Sequence, residues 1–146
     1  MSKSNTYETD LLLLIFNNTN MALVGDATGV RGSSAPGDLY LSLHTADPGE
    51  AGTQATSEIA YTSYARKAVS RSAGGFTVSG NAVSLTADQD FVEGTGGSGT
   101  ATHWGIGASS SGAGKLLYKG ALSPSIVCGT GVIPRIKSGT SIVTED

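Results

Sequence analysis

Leu39-Tyr40-Leu41-Ser42-Leu43-His44-Thr45-Ala46-Asp47-Pro48-Gly49 is the stretch on which the fold turns. Leu39, Leu41 and Leu43 alternate with Tyr40, Ser42 and His44. That two-residue period belongs to a β-strand with one face buried. Asp-Pro-Gly then stops it, because proline fixes φ and offers no N–H to a ladder, while glycine accepts turn dihedrals. The expectation is a strand with its leucines inward and Tyr40, Ser42 and His44 on a polar face.

Downstream the same grammar repeats. Residues 64–71 read as a strand carrying Arg66, Lys67 and Arg71 near its exposed face. Gly74-Gly75 turns into 76–78, and Gly80-Asn81 turns into 82–85. Residues 94–99, rich in glycine, read as a flexible loop. Thr102-His103-Trp104-Gly105-Ile106 alternates again, with Trp104 and Ile106 on one face and His103 on the other. Residues 109–114 form a turn region, 115–122 the next strand, and 132–136 and 141–144 the last ones. Upstream, residues 6–16 are the one good helix candidate. Ser4, Asn5 or Thr6 can cap it, and Glu8 and Asp10 suit the positive end of its dipole. Asn17-Asn18-Thr19-Asn20 stops it, and the Gly-rich stretch 25–37 reads as a loop.

Short strands separated by frequent turns predict an all-β protein: a single β-sandwich, jelly-roll-like or barrel domain with a short N-terminal helix. Residues 1–37 would form a helix-and-loop arm, and 38–146 the β-domain. The expected core is Leu39, Leu41, Leu43, Trp104, Ile106 and Leu117. Trp104 and Ile106 should face Leu41 and Leu43, or the strand around residues 116–118. Residues 11–16 are apolar on every side of the helix, and a surface helix buries only a stripe. Leu11, Leu12, Leu14, Ile15 and Phe16 are therefore candidate interface residues, together with Arg66, Lys67 and Arg71.

Composition narrows the function. The chain has 146 residues, one domain's worth. Only 14% are charged, against about a quarter in average domains, and there are 21 glycines, which suits strands and turns. A net charge of −3 makes no electrostatic case for nucleic acid. One cysteine, Cys128, allows no intrachain disulfide, and with two histidines it falls short of the usual zinc sets. The apolar run at 11–16 is too short for a membrane span or a signal h-region, so folding in a cytoplasm is expected.

Apparent chemistry dissolves on inspection. Gly94-Thr95-Gly96-Gly97-Ser98-Gly99 matches the dinucleotide fingerprint in letters, but a strand follows it where the fingerprint needs a helix. Gly114-Lys115 lacks the Ser or Thr of a phosphate loop. His44 and His103 have no evident nucleophile to serve and read as surface or interface histidines. Glu50, Glu58, Asp88, Asp90 and Glu93 are loop acids with no spacing that implies a glycosidase pair or a calcium loop. No catalytic, metal or cofactor-binding residue is expected.

Four pieces in order, LYLSLHTADP (39–48), EIAYTSYARKAV (58–69), THWGI (102–106) and GKLLYKGAL (114–122), with the ending IVTED (142–146), resemble a family of small virion proteins of tailed bacteriophages. Members are described as head decoration (cement) proteins or as tail-fibre-like proteins. The resemblance implies a structural protein of the virion and no catalytic residues. The short length, without fibrous repeat or coiled-coil heptads, favours a decoration protein on the capsid surface. Its partners would be the major capsid protein and itself, as a homodimer or homotrimer. The alternatives are a tail or tail-fibre component, and a carbohydrate-binding β-sandwich using Tyr40, Tyr61 and Tyr64.

Overall fold

A computed structural model describes residues 2–25, 29–30, 32–139 and 141–145, Ser141 by its backbone alone. Among the described residues one helix and nine strands follow in order: α1 (Asn5–Asn17), β1 (Asp38–His44), β2 (Lys67–Ser70), β3 (Phe76–Ser79), β4 (Ala82–Leu85), β5 (Gln89–Asp90), β6 (Ser98–Gly107), β7 (Leu116–Gly129), β8 (Arg135–Ile136) and β9 (Ser141–Thr144). The class is all-β with one N-terminal helix. The strands form antiparallel sheets ordered β2-β1-β6-β7, β3-β4-β9 and β5-β8. They gather into two compact units that interleave along the chain. One comprises Met1–Asp38, Val69–Asp88 and Lys137–Asp146, the other Leu39–Ala68 and Gln89–Ile136. The first boundary falls at Asp38, one residue from the expected division, and Val69–Asp88 and Lys137–Asp146 join the N-terminal segment in the same unit.

In the first unit Ser4 caps α1, its Oγ accepting from the Tyr7 N–H at 3.4 Å. Asn18 ends the helix at φ 55°, the left-handed conformation that asparagine tolerates. Glu8, Leu12 and Phe16, one residue per turn, form its buried stripe. Phe16 meets Phe76 of β3 edge-on, with ring centroids 5.0 Å apart. The Thr9 hydroxyl donates to the Gly80 carbonyl in the β3–β4 turn. That hairpin pairs Ser79 with Ala82 across two residues. Gly80 has φ 58°, and a type II′ turn needs a glycine at this first central position. β9 adds Val143 against Val83, and Lys3 pairs with Glu145 at 3.0 Å.

In the second unit the register sets Leu41 opposite Ile106 and Leu43 opposite Trp104. On the far side of β6, Trp104 faces Gly120 of β7. A Cβ at Gly120 would lie 2.9 Å from the indole Nε1, so this glycine makes room for the ring. Leu39, Leu41, Leu43, Trp104 and Ile106 are buried, while Leu117 is half-buried. β1 departs from simple alternation, because Ser42 and His44 are also fully enclosed. It is an inner strand covered on both faces. The 94–99 segment is not a loose loop either: Gly94 bridges to Thr130, Gly96 bridges to Thr62, and Ser98 already belongs to β6.

Candidate functional site

The second face of β1 carries a polar layer, and glycines make space for it. Gly105 and Gly107 alternate with Trp104 and Ile106, so their missing side chains fall on the face opposite the indole. A Cβ at Gly105 would sit 3.0 Å from both His44 Nε2 and Ser42 Oγ, and one at Gly107 would overlap the Gln54 side chain. Into that space His44 donates or accepts through both ring nitrogens. Nδ1 lies 2.8 Å from the Thr56 carbonyl, which can only accept, so Nδ1 carries the proton. Nε2 then accepts from the Ser42 hydroxyl at 2.9 Å. Burial holds the His44 pKa below its ordinary value. The pair has the letters of a nucleophile and base, but both residues are 0% exposed, so no substrate reaches the hydroxyl. His44 is a buried structural group and not the surface histidine expected.

Gln54 extends the layer. Its side-chain N–H donates to the Tyr40 carbonyl, its Oε1 accepts from the Ser109 N–H at 3.0 Å, and its own N–H donates to the Gly114 carbonyl. Arg66 completes it. The guanidinium binds both oxygens of Glu58 at 2.7 Å and donates to the Ser109 carbonyl at 3.0 Å and the Gly112 carbonyl at 2.7 Å. Glu58 also accepts from the Tyr64 hydroxyl, which in turn accepts from the Leu43 N–H. The hydrogen bond to Glu58 raises the Arg66 pKa, and burial raises that of Tyr64. Two buried side chains thus hold the β6–β7 loop from beneath. Ser110, Ser111, Gly112 and Ala113 at its tip are exposed. A rigid loop on a β-scaffold presents a fixed surface to a partner.

The expected basic face does not exist as a patch. Arg66 is 8% exposed and points inward because Glu58 and two loop carbonyls need its donors. Lys67 is half-buried. Arg71 reaches the end of α1, donating to the Leu14 carbonyl and Asn18 Oδ1. A cation there satisfies a carbonyl that the helix leaves unpaired and suits the negative end of its dipole. Of the apolar helix candidates, Leu12 and Phe16 are fully buried inside their own unit, so they are core and cannot serve an interface. Leu11, Leu14 and Ile15 are half-buried.

The tyrosines named for a sugar platform do not form one. Tyr61 is 2% exposed and donates to the Val92 carbonyl, and burial pushes its pKa up to about 12. Tyr40 and Tyr64 are half-buried. The loop acids have structural partners: Asp88 accepts from the Ser138 N–H and hydroxyl, Asp90 pairs with Arg135, and Glu50 pairs with Lys119. Among the described residues no three His, Cys, Asp or Glu side chains gather to hold a metal, and no helix is long and apolar enough to cross a membrane.

Sequence reading missed Gln54 and the Glu58–Arg66 pair. Their one advance signal was the Gly105/Gly107 alternation beside Trp104 and Ile106, which leaves an inner face without side chains and calls for filling from elsewhere.

The polar groups of this site hold strands and loops in place. The chain belongs to the family described as Podophage GP4 fiber I protein gp80, whose profile matches residues 2–144. No curated protein matches it. It is a structural protein of a bacteriophage virion.

Proposed function

We propose that this chain is a subunit of the fibre apparatus of a tailed phage and acts by binding its neighbours, without catalysis. The observation that carries this reading is the reach of the family match. Residues 2–144 include both units, so the fibre description applies to the whole fold and not to a shared fragment. The geometry supports it through the β6–β7 loop, whose exposed tip is fixed by Gln54 and Arg66.

Decoration of the capsid surface, in contact with the major capsid protein, is the competing placement. It drew its physical support from a free apolar helix that could clamp shell subunits. Leu12 and Phe16 are used within their own unit, which weakens that support. Immunogold labelling of intact virions and a copy number from quantitative mass spectrometry separate the two. Label at the tail with a copy number in a small multiple of the tail symmetry supports the fibre reading. Label over the head with a copy number matching the shell lattice overturns it in favour of decoration.

A further inference from the structure

The β5–β8 ribbon has an outer face on which, of the interactions above, only the Asp90–Arg135 pair lies. Gln89 pairs with Ile136 and Asp90 with Arg135. The Phe91 N–H continues this register by donating to the Pro134 carbonyl at 2.9 Å, and the Gly94 N–H then donates to the Val132 carbonyl, so Val92 and Glu93 form a bulge across from Ile133 where the ladder ends. Side chains alternate between faces along each strand. Phe91, Pro134 and Ile136 are buried on the inner face. The outer face therefore carries the cross-strand pair Asp90 with Arg135 and, at the bulge, Val92 across from Ile133. Val92 is 48% exposed and Ile133 53%, and both are among the most exposed large apolar residues of the described chain. The Asp90 and Arg135 side chains are 44% and 51% exposed and form a two-point ion pair.

This face has a definite symmetry. Acid and base stand side by side in one row, and two aliphatic residues stand side by side in the next. A two-fold axis parallel to the strands would set Asp90 over the partner's Arg135 and Val92 over the partner's Ile133. Charge meets opposite charge, and apolar meets apolar, with no other protein needed. Isologous contacts of this kind are how most homo-oligomers are built.

We propose that the outer face of the β5–β8 ribbon is a self-association surface, which takes a second copy of this chain about a two-fold axis parallel to the strands. The inference goes beyond the fibre reading and is independent of whether the protein sits on the tail or the head. The patch is small, so the contact between two isolated chains is weak, and the virion strengthens it by holding many copies close together.

The test uses the full chain in sedimentation velocity from about 10 µM to 1 mM, the range in which a contact of this size associates. The wild type should shift toward dimer across that range, and less so at high salt. Val92→Ser with Ile133→Ser should remain monomeric with unchanged circular dichroism. Charge substitutions give the sharper result. Asp90→Arg leaves only bases on the face, and Arg135→Asp leaves two acids with Lys67 as the one base acting on them. Each alone should be monomeric, and a 1:1 mixture should recover the dimer. Both variants lose the ion pair within the chain, so a merely structural role for that pair predicts no recovery on mixing. A wild type that stays monomeric throughout, a Val92→Ser/Ile133→Ser variant that dimerises normally, or charge variants that fail to pair would each overturn the proposal. So would a monomeric wild type whose Ile133→Ser variant fails to join the particle, because the occupant is then a different virion protein.

Discussion

Replacing Arg66 by methionine tests the buried network most directly. Methionine keeps much of the apolar stem and removes the charge, which leaves Glu58 as an anion with only the Tyr64 hydroxyl for company. Breaking a buried pair in this way typically costs about 3–5 kcal/mol, because the surviving charge, with its side chain only 18% exposed, has lost its partner and regains little water. For a chain of this size each kcal/mol moves Tm by about 2–4 °C, so Arg66→Met should lower Tm by roughly 6–20 °C. Converting Glu58 to methionine as well removes the stranded charge. The double variant should recover most of the loss and retain a deficit of about 1–2 kcal/mol from the Ser109 and Gly112 carbonyls that lost their donors. Urea titration followed by tryptophan fluorescence is the assay. Trp104 is the one tryptophan and lies in the same unit as Arg66. Amide exchange across residues 108–114 should rise in both variants, since the loop is untied in both. A loss below about 1 kcal/mol in Arg66→Met, or a double variant no better than the single, would refute the idea that an uncompensated charge governs this site.

Further outcomes follow from other contacts. Trp104→Ala should cost about 3–5 kcal/mol in the same titration, as expected for a large aromatic removed from a core where the indole is 8% exposed. Gly107→Ala should destabilise by about 1–3 kcal/mol or more, because its methyl overlaps Gln54, and the paired change Gly107→Ala with Gln54→Ala should be milder than Gly107→Ala alone. Stability should fall with acid through His44. Its folded pKa lies below the ordinary value of 6.5, so the unfolded chain takes up a proton first, and the contribution present above 6.5 is lost as pH drops toward the folded pKa. His44→Gln should flatten that part of the urea-midpoint profile between pH 7 and 5. Deleting residues 1–20 should unfold the first unit, which loses Leu12 and Phe16, while Trp104 keeps its native emission; a truncated chain with intact β3–β4 amide protection would show the helix to be dispensable.

Much of the local structure is legible in the chain. Ser4 and the asparagines at 17 and 18 bracket α1 within a residue of its observed ends, and Gly80-Asn81 marks the β3–β4 turn. The alternation of two stretches places Leu41, Leu43, Trp104 and Ile106 in the core, while their register, Leu41 with Ile106 and Leu43 with Trp104, is set only once the strands meet. Faces alone do not say what covers them. Ser42 and His44 read as exposed because they are polar, yet Gly105, Gly107 and Gln54 build an enclosed layer around them. The inward turn of Arg66 depends on Glu58 eight residues earlier and on loop carbonyls more than forty residues later, a distance that no local period encodes. The Val92–Ile133 face was equally hidden, because it exists only once β5 and β8 are in register.

The interleaving of the two units has a consequence for how the chain comes into being. Every segment of the second unit has been synthesised once residue 136 is made, whereas the first still lacks Lys137–Asp146, which supplies β9 and the Val143 that covers Val83. Segments separated by more than fifty residues must wait for one another there, and closing such loops precedes the contacts that reward it. A chain cut before residue 141 therefore keeps every segment of the second unit but lacks β9, which leaves β4 of the first unit with an unpaired edge beside its hydrophobic side. Such a truncated chain should be half native and half sticky, and residues 137–146 act as the stitch that closes its open half.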